Sequence, residues 1–197
     1  MIEAGQIETA LIGLMVANGG LAIVFGLLAK HSFRSHGRLT PALGIWSGIA
    51  MHGHALMTFG ISWIDRGSLY GMTILTALIG LILAASGIAV IAAGRRAYGN
   101  VARVYGLKED LLIETGIYRR TRNPQYLGYV LLLVGSAVAS GSLLAFIFAA
   151  IFFIVIHLGV VLVEEPHLKR IFGARYDRYA KQVGRYLGSN RLAGRSS

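Results

Sequence analysis

The feature that most constrains the fold is a set of four apolar runs, which cover residues 10–29, 42–63, 70–93 and 126–163. A helix needs about 20 apolar residues to cross the ~30 Å hydrocarbon layer of a bilayer, so each of the first three runs is long enough for one crossing. The fourth run is too long for one crossing. The small residues at 140–142 interrupt it where a tight turn is expected.

We therefore predict an all-α, polytopic transmembrane helix bundle with about five spans. The last two spans, 126–140 and 143–163, are predicted to form a helical hairpin whose first arm is short for a full crossing. Composition agrees, because 55% of the residues are hydrophobic and only 14% are charged, against about a quarter charged in soluble domains. We expect a three-span region, 1–93, and a region of 94–197 with the hairpin and tail, together forming one membrane domain.

Small residues recur at four-residue spacing within the predicted spans. Examples are Gly80 and Ala84 in the third span and Gly135 and Ala139 in the fourth. Small side chains let helix backbones approach closely in a membrane, so we assign these positions a packing role.

The distribution of basic residues predicts the orientation. All 19 lysines and arginines except Arg66 lie between spans one and two, between spans three and four, or after span five. The positive-inside rule places these segments in the cytoplasm and the N-terminus outside. The same bias explains the net charge of +10 without a nucleic-acid partner, and it suits anionic lipid head groups. Because no basic stretch precedes the first run, we expect a mature helix there and not a cleaved signal peptide.

The absence of cysteine excludes disulfides, thiolate metal ligands and cysteine nucleophiles, and we predict no metal site. Only the segments 94–125 and 164–197 are long enough to hold a functional site, and both are predicted to be cytoplasmic. After Pro166 the tail is predicted to form an amphipathic helix with a bend at Gly173 and a frayed end at 189–197. Its apolar residues recur at three- to five-residue steps: Leu168, Ile171, Phe172, Tyr176, Tyr179 and Val183.

The first candidate cluster is the segment 116–126, which leads into the fourth span. Pro124 favours a turning entry followed by a helix. Arg122 and Asn123 would then lie at the helix N-terminus, where backbone N–H groups and the dipole favour an anionic ligand group. The alternative is interface anchoring, with arginines facing lipid phosphates and tyrosines in the aromatic belt.

The second candidate cluster is Glu164-Glu165-Pro166, at the end of the fifth span. Paired carboxylates could hold a cation or polar hydroxyls beside an apolar pocket. The alternative is the capped start of the tail helix, since acidic residues and proline are common at that position. Because the hairpin runs down and back, we expect the two clusters to meet at one membrane depth.

The two clusters and the tail resemble the isoprenylcysteine carboxyl methyltransferase family and its phospholipid methyltransferase relatives. The resemblance covers roughly residues 94–187 and rests on an ordered set of pieces. They are Gly116-x-Tyr118, Arg122-Asn123-Pro124-x-Tyr126-Leu127-Gly128, Glu164-Glu165-Pro166 and Phe172-Gly173-x-x-Tyr176-x-x-Tyr179-x-x-x-Val183-x-Arg185. The sequence departs from the family pattern at Asn123 and Asp110, where histidine is frequent, and at Gly188, where proline is usual.

The resemblance implies a membrane methyltransferase that uses S-adenosyl-L-methionine, bound in a pocket on the cytoplasmic side. On this basis we assign Arg122 to the cofactor carboxylate and Glu164 or Glu165 to its amine or ribose, and we name Arg122, Tyr126 and Glu164 as catalytic candidates. Tyrosine rings can face a sulfonium through cation–π attraction. The implied cofactor-binding residues are Leu112, Gly116, Tyr118, Arg122, Asn123, Pro124, Tyr126, Glu164 and Glu165.

Three histidines lie inside the predicted spans, where ionisable groups are costly and indicate function. The alternative is a neutral histidine bonded to a helix carbonyl or another side chain. His52 and His54 are two residues apart and point to different helix faces, so they make a poor metal pair. His157 is seven residues before Glu164 and, on a regular helix, shares its face. We list all three as substrate-channel candidates, His157 first.

The leading hypothesis is methyl transfer to a lipid-like acceptor, most simply an isoprenylcysteine carboxylate. A phospholipid amine or a small hydrophobic thiol is an alternative acceptor. Two other classes stay open, a nicotinamide-dependent sterol-type membrane reductase and a non-catalytic lipid-binding protein. The expected partners are membrane lipids or a lipid-modified substrate, and the expected location is a bacterial cytoplasmic membrane with the active site facing the cytoplasm.

Overall fold

The computed structural model describes residues 4–105, 107–108 and 111–188, so Asp110 and the tail end at 189–197 lie outside the described residues. Every regular element in the described part is helical, which confirms the all-α prediction. The elements are α1 (Ala4–His36), α2 (Pro41–Ile64), α3 (Ile74–Tyr98), α4 (Val101–Val104), a 3₁₀ turn (Gly116–Arg119), α5 (Pro124–Ser140), α6 (Leu143–Gly159), a π-helical turn (Val160–Glu164), α7 (Glu165–Phe172) and α8 (Ala174–Gln182).

Three helical stretches in the described part are long and apolar enough to cross a membrane: Gly5–His36, Ile74–Tyr98 and Leu143–Phe172. The chain is therefore an integral membrane protein. Helix α2 has 24 residues but is not among these three stretches, and α5 has only 17 residues. The number of crossings, the orientation and the division at residue 93 stay predictions.

Helices α3 and α5 pack with their backbones in direct contact. A Cβ atom on Gly87 would lie 2.5 Å from the Gly128 carbonyl oxygen, and one on Gly80 would lie 2.5 Å from the Gly135 carbonyl oxygen. The same contact brings Ala139 against Gly80 and Ala84 against Gly135. The packing role predicted for these small residues is confirmed, and it holds the start of α5 against the end of α3.

The hairpin predicted for the last two spans is present, with its turn at Gly141 (φ +62°) between α5 and α6. Asp65, at the end of α2, holds this turn. Its Oδ2 accepts hydrogen bonds from the Ser142 hydroxyl (2.6 Å), the Ser68 hydroxyl (2.8 Å) and the Leu144 N–H (3.0 Å). Burial by itself raises the pKa of Asp65, but these donors outweigh it and lower the pKa overall.

We expect the stability of the detergent-purified protein to fall in acid through Asp65. A carboxyl whose folded pKa lies below its unfolded value stabilises fully above the unfolded pKa, near 4, and that stability is lost as pH falls through the folded pKa. Asp65→Ala should cost about 1–2 kcal/mol at pH 7, the value of a few exchanged hydrogen bonds. Thermal unfolding from pH 7 to 3 measures both effects. An equal acid-induced loss in wild type and variant would contradict this role.

The opposite end of the bundle carries the tail, which folds back over the segment before α5. Tyr176, Tyr179 and Val183 form one buried apolar cluster with Leu112. Gly173, at φ +52°, separates α7 from α8, so the predicted bend is confirmed. The tail helix does not begin after Pro166 as expected, because α6 continues through the π turn into α7 without a break.

The basic segments meet at this same end. Arg170 of α7 donates a hydrogen bond to the Phe33 carbonyl near the end of α1, and His167 stacks on the Phe33 ring at 3.9 Å. Arg66 instead lies at the opposite end, beside the hairpin turn, where the Gly67 N–H donates to the Ser140 carbonyl (2.9 Å). The structure thus separates the described basic segments from Arg66, as the charge pattern predicted.

Candidate functional site

A cleft lies at the basic end, between the start of α5, the π turn and the tail. The two sequence clusters, 116–126 and 164–166, meet there, and Tyr126 contacts Glu164, 38 residues later in the chain. The cleft is lined by Tyr98, Arg103, Lys108, Leu111, Leu112, Ile113, Tyr118, Arg122, Asn123, Val160, Glu164, Glu165, Leu168, Tyr176 and Tyr179. The enclosed space is only about 50 Å³, so a ligand of nucleoside size needs these side chains to move apart.

A shared carboxylate forms the centre of the cleft. Glu165 accepts two hydrogen bonds from the Arg185 guanidinium, at 2.7 and 2.9 Å, and its Oε1 also lies 2.9 Å from Nη1 of Arg122. The side chains of Arg122 and Glu165 are only 11% and 18% exposed. Arg122 also donates to the Tyr176 hydroxyl at 2.9 Å.

This centre has an excess of positive charge. Two guanidinium groups share one carboxylate, and Nε of Arg122 is buried without a hydrogen-bond partner among the described residues. A buried donor without a partner is costly, and buried charges are normally paired. The arrangement therefore favours an additional anionic group beside Arg122.

The second carboxylate, Glu164, is held differently. The Tyr126 hydroxyl donates to Glu164 Oε1, joining the first turn of α5 to the end of the π turn. A π-helical turn inserts an extra residue into a helix, and such turns are frequent at functional sites. Here it is followed directly by Glu165, so two adjacent glutamates reach different partners, Tyr126 and the arginine pair.

The segment at 184–185 closes one side of the cleft. The Arg122 N–H donates to the Gly184 carbonyl (3.0 Å), and the Asn123 amide and Thr121 hydroxyl donate to the Arg185 carbonyl at 3.1 and 3.3 Å. Asn123 is the N-cap residue of α5, but its side chain makes no capping bond. Its amide instead ties the helix start to the tail.

The remaining wall is aromatic and apolar. Tyr118 is buried, its ring meets that of Tyr98 edge-on at 5.6 Å, and its carbonyl accepts a hydrogen bond from the Tyr179 hydroxyl at 2.8 Å. Burial raises the pKa of Tyr118 to about 12, and burial also raises the pKa of Tyr176. Both phenols therefore stay neutral near pH 7, and both residues line the cleft.

Six of the nine predicted cofactor residues line the cleft: Leu112, Tyr118, Arg122, Asn123, Glu164 and Glu165. Tyr126 reaches it through Glu164. The other two do not line it, because Gly116 (φ +59°) starts the 3₁₀ turn and Pro124 is fully buried against Gly94. Sequence reasoning did not assign Arg185, Tyr176 or Tyr179 to the site, although all three belong to the quoted tail pattern.

The three span histidines lie outside the cleft lining. His54 is buried, with Nε2 3.1 Å from the Phe148 carbonyl, and His52 lies between the Gly48 carbonyl (2.7 Å) and the Tyr129 hydroxyl (2.9 Å). Both histidines therefore have hydrogen-bond partners, as the structural alternative expects.

His157 lies 3.2 Å from the Tyr186 hydroxyl. The regular helix assumed between His157 and Glu164 is wrong, because the π turn changes the register. A channel role for the three histidines stays a prediction. The described residues contain no cluster of three or more metal-ligating side chains.

A helical membrane bundle with this cleft fits a known class. A family model described as phospholipid methyltransferase matches residues 75–175, about half of the chain, from α3 into α8. The chain belongs to this family. The match includes Arg122, Tyr126 and both glutamates, and it ends just before Tyr176.

The chain is also similar to two rice proteins, from Oryza sativa subsp. indica and subsp. japonica. Each is named a "probable protein-S-isoprenylcysteine O-methyltransferase" and is 29% identical to this chain over 110 residues. The similarity covers 53% of this chain and 57% of each relative, so the chain spans little more than half the length of the curated relatives it matches. No solved structure matches this chain significantly.

Proposed function

We propose that this protein is an S-adenosyl-L-methionine-dependent membrane methyltransferase that acts on a lipid-like acceptor. One observation carries the proposal: within the family-matched region, Arg122 shares the carboxylate of Glu165 and has a buried donor that finds no partner among the residues the structure describes. Such a position suits the carboxylate of an amino-acid-bearing cofactor. The names of the family and of the rice relatives support the reaction class.

The donor set of the cleft fits the proposed cofactor. Arg122 would bind its carboxylate, and Glu164 or Glu165 its amine or its ribose hydroxyls, with the two glutamates interchangeable in these roles. The faces of Tyr118 and Tyr176 suit a sulfonium. The aliphatic residues Leu111, Leu112, Ile113 and Leu168 suit an adenine ring.

When bound, the cofactor supplies an electrophilic methyl group, so the chain's main task is to hold donor and acceptor in line. Opening of the Arg122–Glu165 bridge would make room for the cofactor carboxylate, while Arg185 keeps Glu165 in place. The Tyr126 hydroxyl orients Glu164 at the π turn. Because the cleft opens at the end of the apolar bundle, an acceptor with a lipid tail can remain in the bilayer while its polar end is methylated.

The acceptor proposed first is an isoprenylcysteine carboxylate, because this is what the names of the rice relatives indicate. A carboxylate is already ionised and needs no general base. A phospholipid amine is the second candidate, favoured by the description of the family model. An amine must lose a proton before it is methylated. The carboxylate proposed to accept that proton is Glu164, which is bonded to Tyr126. The positive-inside bias supports a cleft that faces the cytoplasm.

Calorimetry on the detergent-purified full chain tests this proposal. We expect saturable binding of S-adenosylhomocysteine and none of NADPH. Binding of NADPH alone would favour the membrane reductase, and binding of neither would favour a non-catalytic lipid-binding protein. With binding established, transfer of a labelled methyl group to a farnesylcysteine analogue or to phosphatidylethanolamine identifies the acceptor class.

A further inference from the structure

A second concave site lies on the outer side of the tail, separate from the centre of the cleft. It has a volume of about 340 Å³, within the range of about 300–1,000 Å³ typical of small-ligand sites. The 3₁₀ turn and α8 form its walls, and Tyr179, whose hydroxyl is bonded to the Tyr118 carbonyl, separates it from the cleft. It is lined by Glu114, Arg119, Arg175, Arg178, Tyr179, Gln182 and Val183.

The charge of this pocket is strongly positive. Three arginines and one glutamate line it, which leaves two net positive charges. Arg175 is paired with Glu114 at 3.1 and 3.4 Å, and this exposed pair orients the guanidinium without burying it. Arg119 and Arg178 are exposed, and neither forms an ion pair with any residue in the described part of the chain.

The pocket lies close to the ends of the apolar helices. Arg119 precedes the start of α5 by five residues, and α8 is separated only by Gly173 from α7, which continues α6. Tyr118, next to Arg119, contacts Tyr98 at the end of α3, a helix long and apolar enough to span. The pocket is therefore within reach of lipid head groups.

We propose that this pocket binds the phosphate group of an anionic membrane lipid. Arginine recognises phosphate oxygens through paired N–H donors, and a lipid phosphodiester with an uncharged head leaves its negative charge for Arg119 and Arg178. A zwitterionic lipid carries its own positive group, so its phosphate gains less binding free energy from these two arginines. The inference is independent of the proposed methyl transfer, since none of these arginines lines the cleft.

Binding of short-chain phosphatidylglycerol and phosphatidylcholine to the detergent-purified full chain tests the proposal, by calorimetry at 0.1 M salt. We expect at least a tenfold preference for phosphatidylglycerol. The double variant Arg119→Ala/Arg178→Ala should bind it about 25-fold more weakly, from about fivefold per basic residue near a lipid surface. Lys181→Ala is the matched control, because Lys181 is exposed on the same helix outside the pocket, and it should change the affinity less than twofold.

A second variant is needed because the double variant could lose binding through misfolding. A variant that gains affinity cannot be explained in that way. Glu114→Gln removes the pocket's negative charge and frees Arg175, so phosphatidylglycerol should bind at least threefold more tightly. Unchanged affinity in both variants, or an equal loss in Lys181→Ala, would overturn the proposal in favour of a diffuse basic surface. Inorganic phosphate binding as tightly as the lipid would overturn the lipid as occupant. S-adenosylhomocysteine binding should stay unchanged throughout, which separates this site from the cleft.

Discussion

Replacing Arg122 with alanine is expected to lower the affinity for S-adenosylhomocysteine by about 100-fold. Removing one partner of a buried charge-assisted contact costs about 2–5 kcal/mol, and each ~1.4 kcal/mol is tenfold in affinity. The Arg122 guanidinium shares Glu165 with the Arg185 guanidinium, and its buried Nε has no hydrogen-bond partner in the described part of the chain. Calorimetry on the purified variant measures the loss.

Two further variants make this result specific. Arg122→Lys keeps the charge but loses the planar fork of donors, so we expect an intermediate loss of about tenfold. Arg120→Ala is the control, because its side chain is exposed two residues away and does not line the cleft. The fold should survive in Arg122→Ala, since Arg185 still neutralises Glu165. Wild-type affinity in Arg122→Ala would exclude Arg122 as the cofactor's anchor.

The second large effect is expected at the contact between α3 and α5. Gly87→Ala puts a Cβ atom 2.5 Å from the Gly128 carbonyl oxygen and 2.7 Å from the Leu132 nitrogen, both backbone atoms that cannot move independently. Overpacking costs about 1–3 kcal/mol where side chains can adjust, so we expect at least about 3 kcal/mol here. This corresponds to a fall in Tm of about 6–12 °C, measured by thermal unfolding in detergent.

Gly53→Ala is the matched control for this prediction. Gly53 is also helical, in α2, but a Cβ atom there would have no atom of any described residue within 4 Å beyond its own helix. Alanine favours a helix over glycine by about 0.5–1 kcal/mol, so Gly53→Ala should leave Tm unchanged or raise it slightly. If Gly87→Ala behaves like Gly53→Ala, the two helices are farther apart than the structure shows. A displaced α5 would also move Tyr126 away from Glu164.

The helical hairpin could be predicted from local sequence, because hydrocarbon thickness sets a minimum length for each crossing. A 38-residue apolar run with small residues at its middle has few ways to fold other than down and back. That topology returns Glu164 to the membrane level of Tyr126, and the hydrogen bond between them confirms the expected meeting of the two clusters. The small residues of α3 and α5 were also readable, since their spacing marks one helix face.

Other parts of the site could not be read from spacing. The resemblance to a family included Arg185 in its pattern, but no local signal paired it with Glu165, 20 residues earlier. The π turn changes the helical register between His157 and the glutamates. It could not be predicted, because the sequence through it is a continuous apolar run with no residue that marks a change of helix type. Asp65 likewise showed no sign of its role at the hairpin turn.

By itself, then, the sequence determined the membrane class, the helical elements and the meeting of an arginine–tyrosine segment with two glutamates. These follow from the length and polarity of continuous segments, which act over neighbouring residues. The partners of the two glutamates, Tyr126 for Glu164 and the arginine pair for Glu165, became visible only in the tertiary fold, as did the side chains that close the cleft. Those choices depend on where Gly173 turns the tail and how closely α5 packs on α3, and such long-range packing leaves no periodic trace in the chain.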